Sequence, residues 1–581
     1  MEKRWNLDQL YLSFQDQAFL NDIERLKQKL ENMQKYPEMD ITEMNLKDYL
    51  ESANQFQDLV EKLYAYTSLT MSSDTTNQEA LKYSSVIENI LAGFADTQAK
   101  IDRWIGEFDL NNIQDDYIQE HLYILKEVQQ HNRYLLSDEG EKILAQMKTT
   151  GSSAWLKYKD QLISSMKVTM DNQEYPLTEV LNMAYSKDKD VRKKAYEAEL
   201  KAYQSVEQGV ASALNAIKGE AITVTKLRGY DSVLQRTLMD SRMSPKTLDA
   251  LLAVMKKALP VFERYFQLKA KALGYNDGLP WYELYAPIVD IEFSYPFEKG
   301  SQFVVEQFYT FSKHLGDYAK KAIEQDWIDV YPRAGKVGGA FCSNLHCIGE
   351  SRFLLNYGNE FGDTITMGHE LGHGFHGECL NTQTALNADY PMPIAETAST
   401  FCETIIKKAA LHSAPDKQKL LILENELCDC AQVIVDIYSR FLFESRLIEK
   451  RQNGPLSVEE IKDLMLEAQK ESYGKGLDQR YLHPYMWTWK PHYYEADYAF
   501  YNFPYAFGLL LAKGLYGLYQ KQGPEFARTY EQFLSLTGKM DLEDVCQSVG
   551  IDLQDMNFWQ NSIDMIKEDI DLFEKLLKRM V

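Results

Sequence analysis

Long apolar runs are missing from this sequence of 581 residues. A membrane-spanning helix needs about 18 or more predominantly apolar residues in a row, and no such run occurs. The first ten residues, MEKRWNLDQL, also lack the apolar core of about 7–15 residues that a secretory signal peptide contains. We therefore expect a cytoplasmic protein that has no membrane partner.

Positive charge is also scarce, and the cysteines form no recognisable pattern. The 63 lysines and arginines are outnumbered by 86 aspartates and glutamates, which gives a formal net charge of −23. Because nucleic-acid binding requires a basic face, we expect no nucleic-acid partner. The seven cysteines show no spacing typical of a zinc knuckle or a disulfide framework. No G-x-x-x-x-G-K-[ST] motif supports nucleotide-dependent chemistry.

The clearest motif that the chain does contain is H-E-x-x-H at residues 369–373. Residues four apart lie on one side of a helix, so His369 and His373 can offer imidazole nitrogens to one ion. Glu370 projects from a neighbouring edge, where it can reach a metal-bound water without binding the metal. The pattern is typical of zinc peptidases in which the glutamate is the general base.

The surrounding segment, residues 364–380, is predicted to be a helix. Asp363 precedes it and is predicted to be its N-cap, since a carboxylate there accepts bonds from free backbone N–H groups. Gly372 and Gly374 are poor helix residues. They indicate that another backbone or the metal site approaches the helix closely.

A third ligand is expected downstream, because a catalytic zinc takes three protein ligands. A helix starting at Ile394 would place Glu396 in its first turn, after a loop that returns to the metal. Glu403 lies two turns further along and can accept a hydrogen bond from a ligating histidine, although a solvated helix face is an equal alternative. His376 is expected to be a neighbour of the site and not a ligand.

A small sheet is expected between residues 326 and 358. Gly338 and Gly339 lie in an apolar run that continues through Ala340 and Phe341. An edge strand here would bind extended substrate through main-chain hydrogen bonds, and glycine permits the close approach that this requires. A simple glycine turn is the alternative.

Residues 481–507 contain twelve aromatic residues. His492 precedes Tyr498, Tyr501 and Tyr505, whose spacing of three and four could place three phenols on one helical or near-helical face. Such donors can stabilise the negative charge that forms on a carbonyl oxygen during hydrolysis. Core packing is the usual alternative for an aromatic stripe.

The rest of the chain shows mainly helical periodicity. Phe19, Ile23, Leu26 and Leu30 recur at helical steps. Ser244 and Pro245 mark a helix start, and Pro260 is expected to kink or break that helix. Residues 166–170 are predicted to form a short strand.

At this point the sequence resembles a known family. H-E-L-G-H-G-F-H followed by I-A-E-T-A-S-T-F-x-E is similar to the oligoendopeptidase F family, within the thimet-oligopeptidase-like zinc metallopeptidases. The same likeness is carried by G-G-A-F-C-S at 338–343, L-L-N-Y at 354–357, P-H-Y-Y at 491–494 and Y-N-F-P-Y-A-F-G at 501–508.

The resemblance implies a mainly α fold, with two large helical lobes, a deep central channel and a small sheet beside the zinc helix. It implies a helical N-terminal region at 1–115, a family-type helical domain at 116–190 and a catalytic domain at 195–578. It also implies that a histidine and tyrosines lie opposite the zinc. For those we favour His492 with Tyr498 and Tyr505, ahead of Tyr501.

The sequence therefore predicts a zinc endopeptidase that hydrolyses short unstructured oligopeptides and binds one Zn²⁺ per chain. His369, His373 and Glu396 would hold an ion that lowers the pKa of its bound water toward about 7. Glu370 would take the proton of that water and pass it to the leaving amine. The alternatives are a zinc carboxypeptidase or dipeptidase on a similar scaffold, and a non-catalytic peptide-binding protein.

Overall fold

The protein is mainly α-helical, as predicted. The computed structural model describes residues 3–291 and 293–580. In the first half of this part of the chain the helices are α1 (Gln17–Met33), α2 (Glu43–Ser73), α3 (Gln78–Ala92), α4 (Ala95–Gly106), α5 (Asp116–Glu120), α6 (Leu122–Asn132), α7 (Asp138–Thr150), α8 (Ser152–Ser165), α9 (Leu177–Asn182), α10 (Lys189–Tyr203), α11 (Glu207–Arg228), α12 (Val233–Asp240) and α13 (Pro245–Ala272).

Helices also dominate the second half. They are α14 (Phe297–Phe311), α15 (Lys313–Glu324), α16 (Phe361–Leu380), α17 (Met392–Ala395), α18 (Thr397–Ser413), α19 (Asp416–Ala431), α20 (Ile437–Arg451), α21 (Val458–Tyr473), α22 (Phe503–Gln522), α23 (Phe526–Leu536), α24 (Leu542–Gln547) and α25 (Met556–Met580). A π-helical segment, Gln432–Asp436, joins α19 to α20. Within residues 3–291 and 293–580, no helix combines the length and the apolar character that crossing a membrane requires.

The strands form two small sheets. Strands β1 (Lys167–Met170) and β2 (Gln173–Pro176) make an antiparallel hairpin, so the predicted strand at 166–170 is confirmed. Strands β3 (Ile328–Asp329), β4 (Phe341–Leu345) and β5 (Glu350–Leu354) form the second sheet in the order β3-β5-β4. Strand β5 runs parallel to β3 and antiparallel to β4. The sheet expected between residues 326 and 358 is therefore present.

The chain divides into two compact units. The first unit comprises residues 1–134, 292–409 and 515–551, and the second comprises 135–291, 410–514 and 552–581. Helix α16 and the three-stranded sheet belong to the first unit, whereas the aromatic tract belongs to the second. The sequence-based division at 1–115, 116–190 and 195–578 is a different partition and stays a prediction, as does the central channel.

Helix α1 shows how the sequence pattern produces the local fold. The Asp16 carboxylate accepts a hydrogen bond from the Ala18 backbone N–H and caps the first turn. Phe19, Ile23 and Leu26 are buried on one face. Burying such a side chain contributes roughly 1.5–3 kcal/mol, so the predicted periodicity is confirmed by packing.

Helix α13 corrects one expectation. Ser244 caps it and Pro245 is its first residue, as predicted, but the helix continues through Pro260 to Ala272. A proline inside a helix costs about 3 kcal/mol. Met255 and Phe262, which are buried on either side of Pro260, help to offset this cost. The expected break is therefore wrong, and the expected kink stays a prediction.

Candidate metal centre

Helix α16 carries the H-E-x-x-H motif and begins earlier than predicted. Its first residue is Phe361, and Glu360 is the N-cap. Asp363 is the third residue of the helix, and its Oδ2 atom accepts backbone N–H bonds from Gly358 at 2.8 Å and Glu360 at 2.9 Å. The prediction of Asp363 as the N-cap is therefore wrong, because its carboxylate reaches back across the helix start.

Glycine inside the motif allows helix α18 to approach α16 closely. A Cβ atom at Gly372 would lie 2.7 Å from the Ala398 carbonyl oxygen, 2.7 Å from the Ser399 Cα and 3.0 Å from the Cys402 Cβ. The close approach that the sequence indicated is thus made by the start of α18. Glu396, which immediately precedes α18, is thereby brought to the motif.

The substitution Gly372→Ala is expected to destabilise the protein. The added methyl group would push α18 away from α16, and overpacking of this kind costs about 1–3 kcal/mol. Urea unfolding in excess chelator, which removes any contribution from a metal, measures the change. Gly362→Ala on the same helix is the matched control, since its Cβ would meet no atom within 4 Å. Equal stabilities for the two variants would contradict the packing argument.

Three side chains meet between α16 and the start of α18. The Glu396 Oε2 atom lies 3.3 Å from the His369 Nε2 atom and 3.4 Å from the His373 Nε2 atom. One ligand atom from each of the three residues lies within 4.8 Å of the others. Glu396 is at the junction of α17 and α18 and not inside a helix start at Ile394. This small difference from the prediction leaves the carboxylate at the histidines.

The geometry of these atoms fits a tetrahedral divalent cation. Two ligand atoms that are each about 2.0–2.1 Å from a tetrahedral ion lie about 3.3 Å apart, which is close to the separation of Glu396 Oε2 from each histidine Nε2. Burial alone would lower the pKa of His369, but its hydrogen bonds to Glu396 and Glu403 outweigh burial and raise that pKa to about 10. The site thus favours positive charge, and two imidazoles with one carboxylate are a donor set that suits zinc.

Glu403 contacts the second ring nitrogen of His369, Nδ1. Its Oε2 atom lies 3.1 Å from the His369 Nδ1 atom, so Nδ1–H can donate to the carboxylate while Nε2 faces the metal position. Such a bond fixes the ring orientation of a metal-binding histidine. Lys407 forms an ion pair with the same carboxylate. The sequence analysis missed Lys407, although its position four residues after Glu403 on one helix was a usable signal.

Glu370 lies beside this group but is not part of it. The side chain is buried, and the backbone N–H of Cys342 on strand β4 donates a hydrogen bond to it. Burial raises the pKa of Glu370 above its usual value, and the neighbouring His369 and His373 partly oppose this. A carboxylate with a raised pKa is suited to receiving and releasing a proton near neutral pH.

Strand β4 packs against α16, and the Asn344 side-chain amide donates to the His373 carbonyl oxygen at 3.1 Å. In the sheet formed by the described residues, the order β3-β5-β4 leaves one side of β4 unpaired. Gly338 and Gly339 precede this strand in an exposed segment, and a Cβ at either would meet no atom within 4 Å. Ala340 and Phe341 lead into the strand. Their role in substrate binding stays a prediction.

His376 is a packed neighbour of the motif. It is fully buried, its ring stacks on Tyr390 with centroids 4.1 Å apart, and Nε2 hydrogen-bonds with the Thr537 hydroxyl at 2.8 Å. Burial lowers its pKa to about 3, so the ring is neutral. This placement agrees with the prediction that His376 is not a ligand.

The second unit brings His492 close to two of the three predicted tyrosines. The rings of His492 and Tyr501 stack with centroids 5.0 Å apart, and the Tyr501 and Tyr505 rings are 6.2 Å apart. Tyr498 is 57% exposed. The prediction of one helical face that carries all three phenols is wrong. Helix α22 starts only at Phe503. Phe500 has a left-handed φ of 57°, and an α-helix cannot continue through such a residue.

The His492 imidazole has an unpaired nitrogen. Its Nδ1 atom is buried and has no hydrogen-bond partner among the described residues. Burial lowers the pKa of His492 to about 4, with the nearby Arg440 and Lys490 charges adding to this. The ring is therefore neutral at pH 7 and can donate one hydrogen bond. The catalytic roles of His492, Tyr498 and Tyr505 stay predictions.

Comparison with known proteins identifies the family. The model of peptidase family M3 matches residues 182–565, which is more than half of the chain. The chain belongs to peptidase family M3. A second model, described as oligopeptidase F, matches residues 105–167. The family recognised from the zinc motif and the aromatic tract is thus confirmed.

Relatives in this family align over nearly the whole chain. The oligoendopeptidase F homolog of Lactococcus lactis subsp. lactis (strain IL1403) is 27% identical over 544 residues, covering 90% of this chain and 88% of the relative. Oligopeptidase PepF of Bacillus subtilis (strain 168) is 24% identical over 600 residues, covering 100% of this chain and 88% of the relative.

Solved structures share the fold. A putative peptidase from Chlamydophila abortus superposes with a TM-score of 0.87 at 22% identity, covering 99% of this chain and 98% of that one. Oligoendopeptidase F from Enterococcus faecium gives a TM-score of 0.69 at 20% identity, covering 97% and 99%. The mainly α metallopeptidase fold predicted from the sequence is confirmed.

Proposed function

We propose that this family M3 peptidase is a zinc-dependent endopeptidase that hydrolyses short unstructured oligopeptides. The observation that carries the proposal is the approach of Glu396 Oε2 to within 3.3 and 3.4 Å of two imidazole nitrogens, beside the buried carboxylate of Glu370. The relatives that bear the names oligoendopeptidase F and oligopeptidase support the substrate class.

His369, His373 and Glu396 would hold the zinc, and Glu403 would keep the His369 ring in place. When bound, zinc polarises a carbonyl and lowers the pKa of a bound water toward about 7. Glu370 takes the proton of the attacking water on its carboxylate and delivers it to the amine that leaves. Its burial keeps that proton from exchanging with solvent between the two steps.

The remaining predicted residues would act on the substrate. The unpaired edge of β4, with Gly338, Gly339, Ala340 and Phe341 at its start, would bind an extended peptide backbone. His492 and a tyrosine would donate hydrogen bonds to the carbonyl oxygen as it gains charge, and one such donor is worth about 3 kcal/mol. Tyr498 and Tyr505 are the first candidates, ahead of Tyr501, and the 57% exposure of Tyr498 leaves its phenol accessible to a substrate.

Internally quenched peptides blocked at both ends test the endopeptidase activity. The protein is expected to cleave blocked peptides of about ten residues and to leave a folded protein substrate intact. The same peptides with free ends are the control. Cleavage that requires a free terminus would favour the exopeptidase alternative, and tight binding without cleavage would favour a peptide-binding protein.

A further inference from the structure

The second unit contains a cavity that the proposed reaction does not use. Its volume is about 340 Å³, within the range of small-molecule sites. The walls are rich in aromatic side chains, which include Tyr196, Tyr265, Phe266, Trp281, Tyr473 and Trp489. Every lining residue belongs to the second unit, so the cavity is defined within that unit alone.

Most charged groups in the cavity wall are already paired. Arg192 contacts Glu283 at 2.6 Å, and His483 contacts Glu199 at 3.1 Å. Asp436 pairs with an arginine of α20 at 2.5 Å. These acidic side chains are therefore compensated and do not make the cavity a cation site.

Lys490 is different from the other charged groups of the wall. Among the residues that the structure describes, it forms no ion pair, and its ammonium group lies 4.5 Å from the centroid of the Trp489 ring. Burial lowers its pKa to about 8, the charge of Arg440 adds to this effect, and the carboxylates of Asp436 and Glu199 partly oppose it. These two carboxylates already contact other side chains, and a partly buried ammonium group that forms no ion pair of its own favours an anionic ligand.

Two further donors in the same wall have no partner. The Tyr265 hydroxyl and the Trp489 Nε1–H are buried and make no hydrogen bond within the described part of the chain. Leaving a buried donor unpaired carries a free-energy penalty, because the group has lost its hydrogen bonds to water. A ligand oxygen that accepts from them would recover this energy.

The cavity wall also includes a short π-helical segment. Gln432 and Asp436, the ends of the π-helical segment between α19 and α20, both line the cavity. Short π-helical insertions are rare and frequently mark functional sites. Tyr185, which is 61% exposed, and Tyr285, which is 37% exposed, also line the cavity, and their rings lie 4.9 Å apart.

We propose that this cavity binds a small monocarboxylate with an aromatic or branched apolar body. The carboxylate pairs with the Lys490 ammonium and accepts hydrogen bonds from the unpaired donors of the same wall, while the apolar body packs against the aromatic side chains. If the ligand carries an amino group, the cavity prefers it uncharged, as in an N-acylated amino acid. The carboxylates of the wall that could hold a ligand ammonium are already paired.

Isothermal titration of the full-length holoenzyme with N-acetyl-L-phenylalanine tests this site. One equivalent is expected to bind, and the neutral analogue N-acetyl-L-phenylalanine amide is expected to bind at least about 10-fold more weakly, since a charge-assisted contact is worth roughly 1.5–3 kcal/mol. Lys490→Met should remove the difference between acid and amide. Lys257→Met, at an exposed lysine of α13, should leave it unchanged.

Two further measurements locate the binding. Tyr265→Phe and Trp489→Phe each delete one donor and keep the ring, so both should weaken the acid several-fold even if Lys490→Met does not fold. The titration is repeated after metal removal, where affinity is expected to persist. The proposal would be overturned if the acid did not bind or if acid and amide bound equally. It would also be overturned if the donor variants kept the affinity of the unmodified protein, or if affinity vanished with the metal.

Discussion

Replacement of Glu370 by glutamine is expected to lower kcat for an end-blocked peptide by a factor of about 10²–10⁴, the usual contribution of a positioned general base. Glutamine has nearly the same shape, and its carbonyl oxygen can still accept the Cys342 N–H. It cannot take a proton. Glu370 is outside the group of three donor side chains, so the metal content should stay at the level of the unmodified protein.

The measurement combines steady-state kinetics with elemental analysis of the same preparation. Glu378→Gln is a matched control, because Glu378 lies on the same helix α16 and pairs with His314. We expect its kcat to remain near that of the unmodified protein. A Glu370→Gln enzyme that keeps more than a tenth of its activity would remove Glu370 from the role of general base.

Replacement of Glu396 by alanine is expected to lower zinc affinity more than any change outside the three donors. The two imidazoles would lose the acceptor that lies 3.3 and 3.4 Å away, and a carboxylate ligand would be missing. Loss of an outer hydrogen-bond partner costs about 10–100-fold in metal affinity. We therefore expect a loss beyond 100-fold for Glu396→Ala and a loss within that range for Glu403→Gln.

Competition with a chromophoric chelator measures both affinities, and circular dichroism verifies that each variant is folded. The order of the two effects is the critical result, because Glu396 contacts the metal-facing Nε2 atoms of both histidines, whereas Glu403 contacts Nδ1 of His369. A Glu396→Ala protein that binds zinc as tightly as the Glu403→Gln protein would contradict the assignment of Glu396 as a ligand.

Local patterns predicted much of the candidate site. The spacing of His369 and His373 is a property of one helix, and Gly372 pointed to a close approach that α18 makes. Glu396 was predictable because a third ligand had to return from a loop within a short stretch of sequence. In each case the information lies in a few neighbouring residues and one periodicity.

Other features depend on contacts that a local pattern does not contain. The Asp363 carboxylate accepts hydrogen bonds from two backbone N–H groups that precede it in the chain. The helix therefore starts about one turn before the start that was predicted from Asp363 as N-cap. The left-handed φ of Phe500 separates Tyr498 from the helix that carries Tyr505. Periodicity treats every residue as helical and therefore cannot detect such a break.

The cavity of the second unit was not predictable for the same reason. Its wall combines segments near residues 180–199, 265–285, 428–436 and 473–490. Tyr282 in this wall is buried, as an aromatic residue of an ordinary core would be. Only the assembled unit shows that Lys490 shares a wall with the unpaired Tyr265 hydroxyl.

Titration of the metal-free protein with zinc, followed by the rate of cleavage of an end-blocked peptide, tests the metal centre most directly. We expect no cleavage before zinc is added, a linear rise up to one equivalent per chain, and a plateau beyond it. Full cleavage by protein from which all metal has been removed, or a rise that continues to two equivalents, would show that His369, His373 and Glu396 do not form the single metal site on which hydrolysis depends.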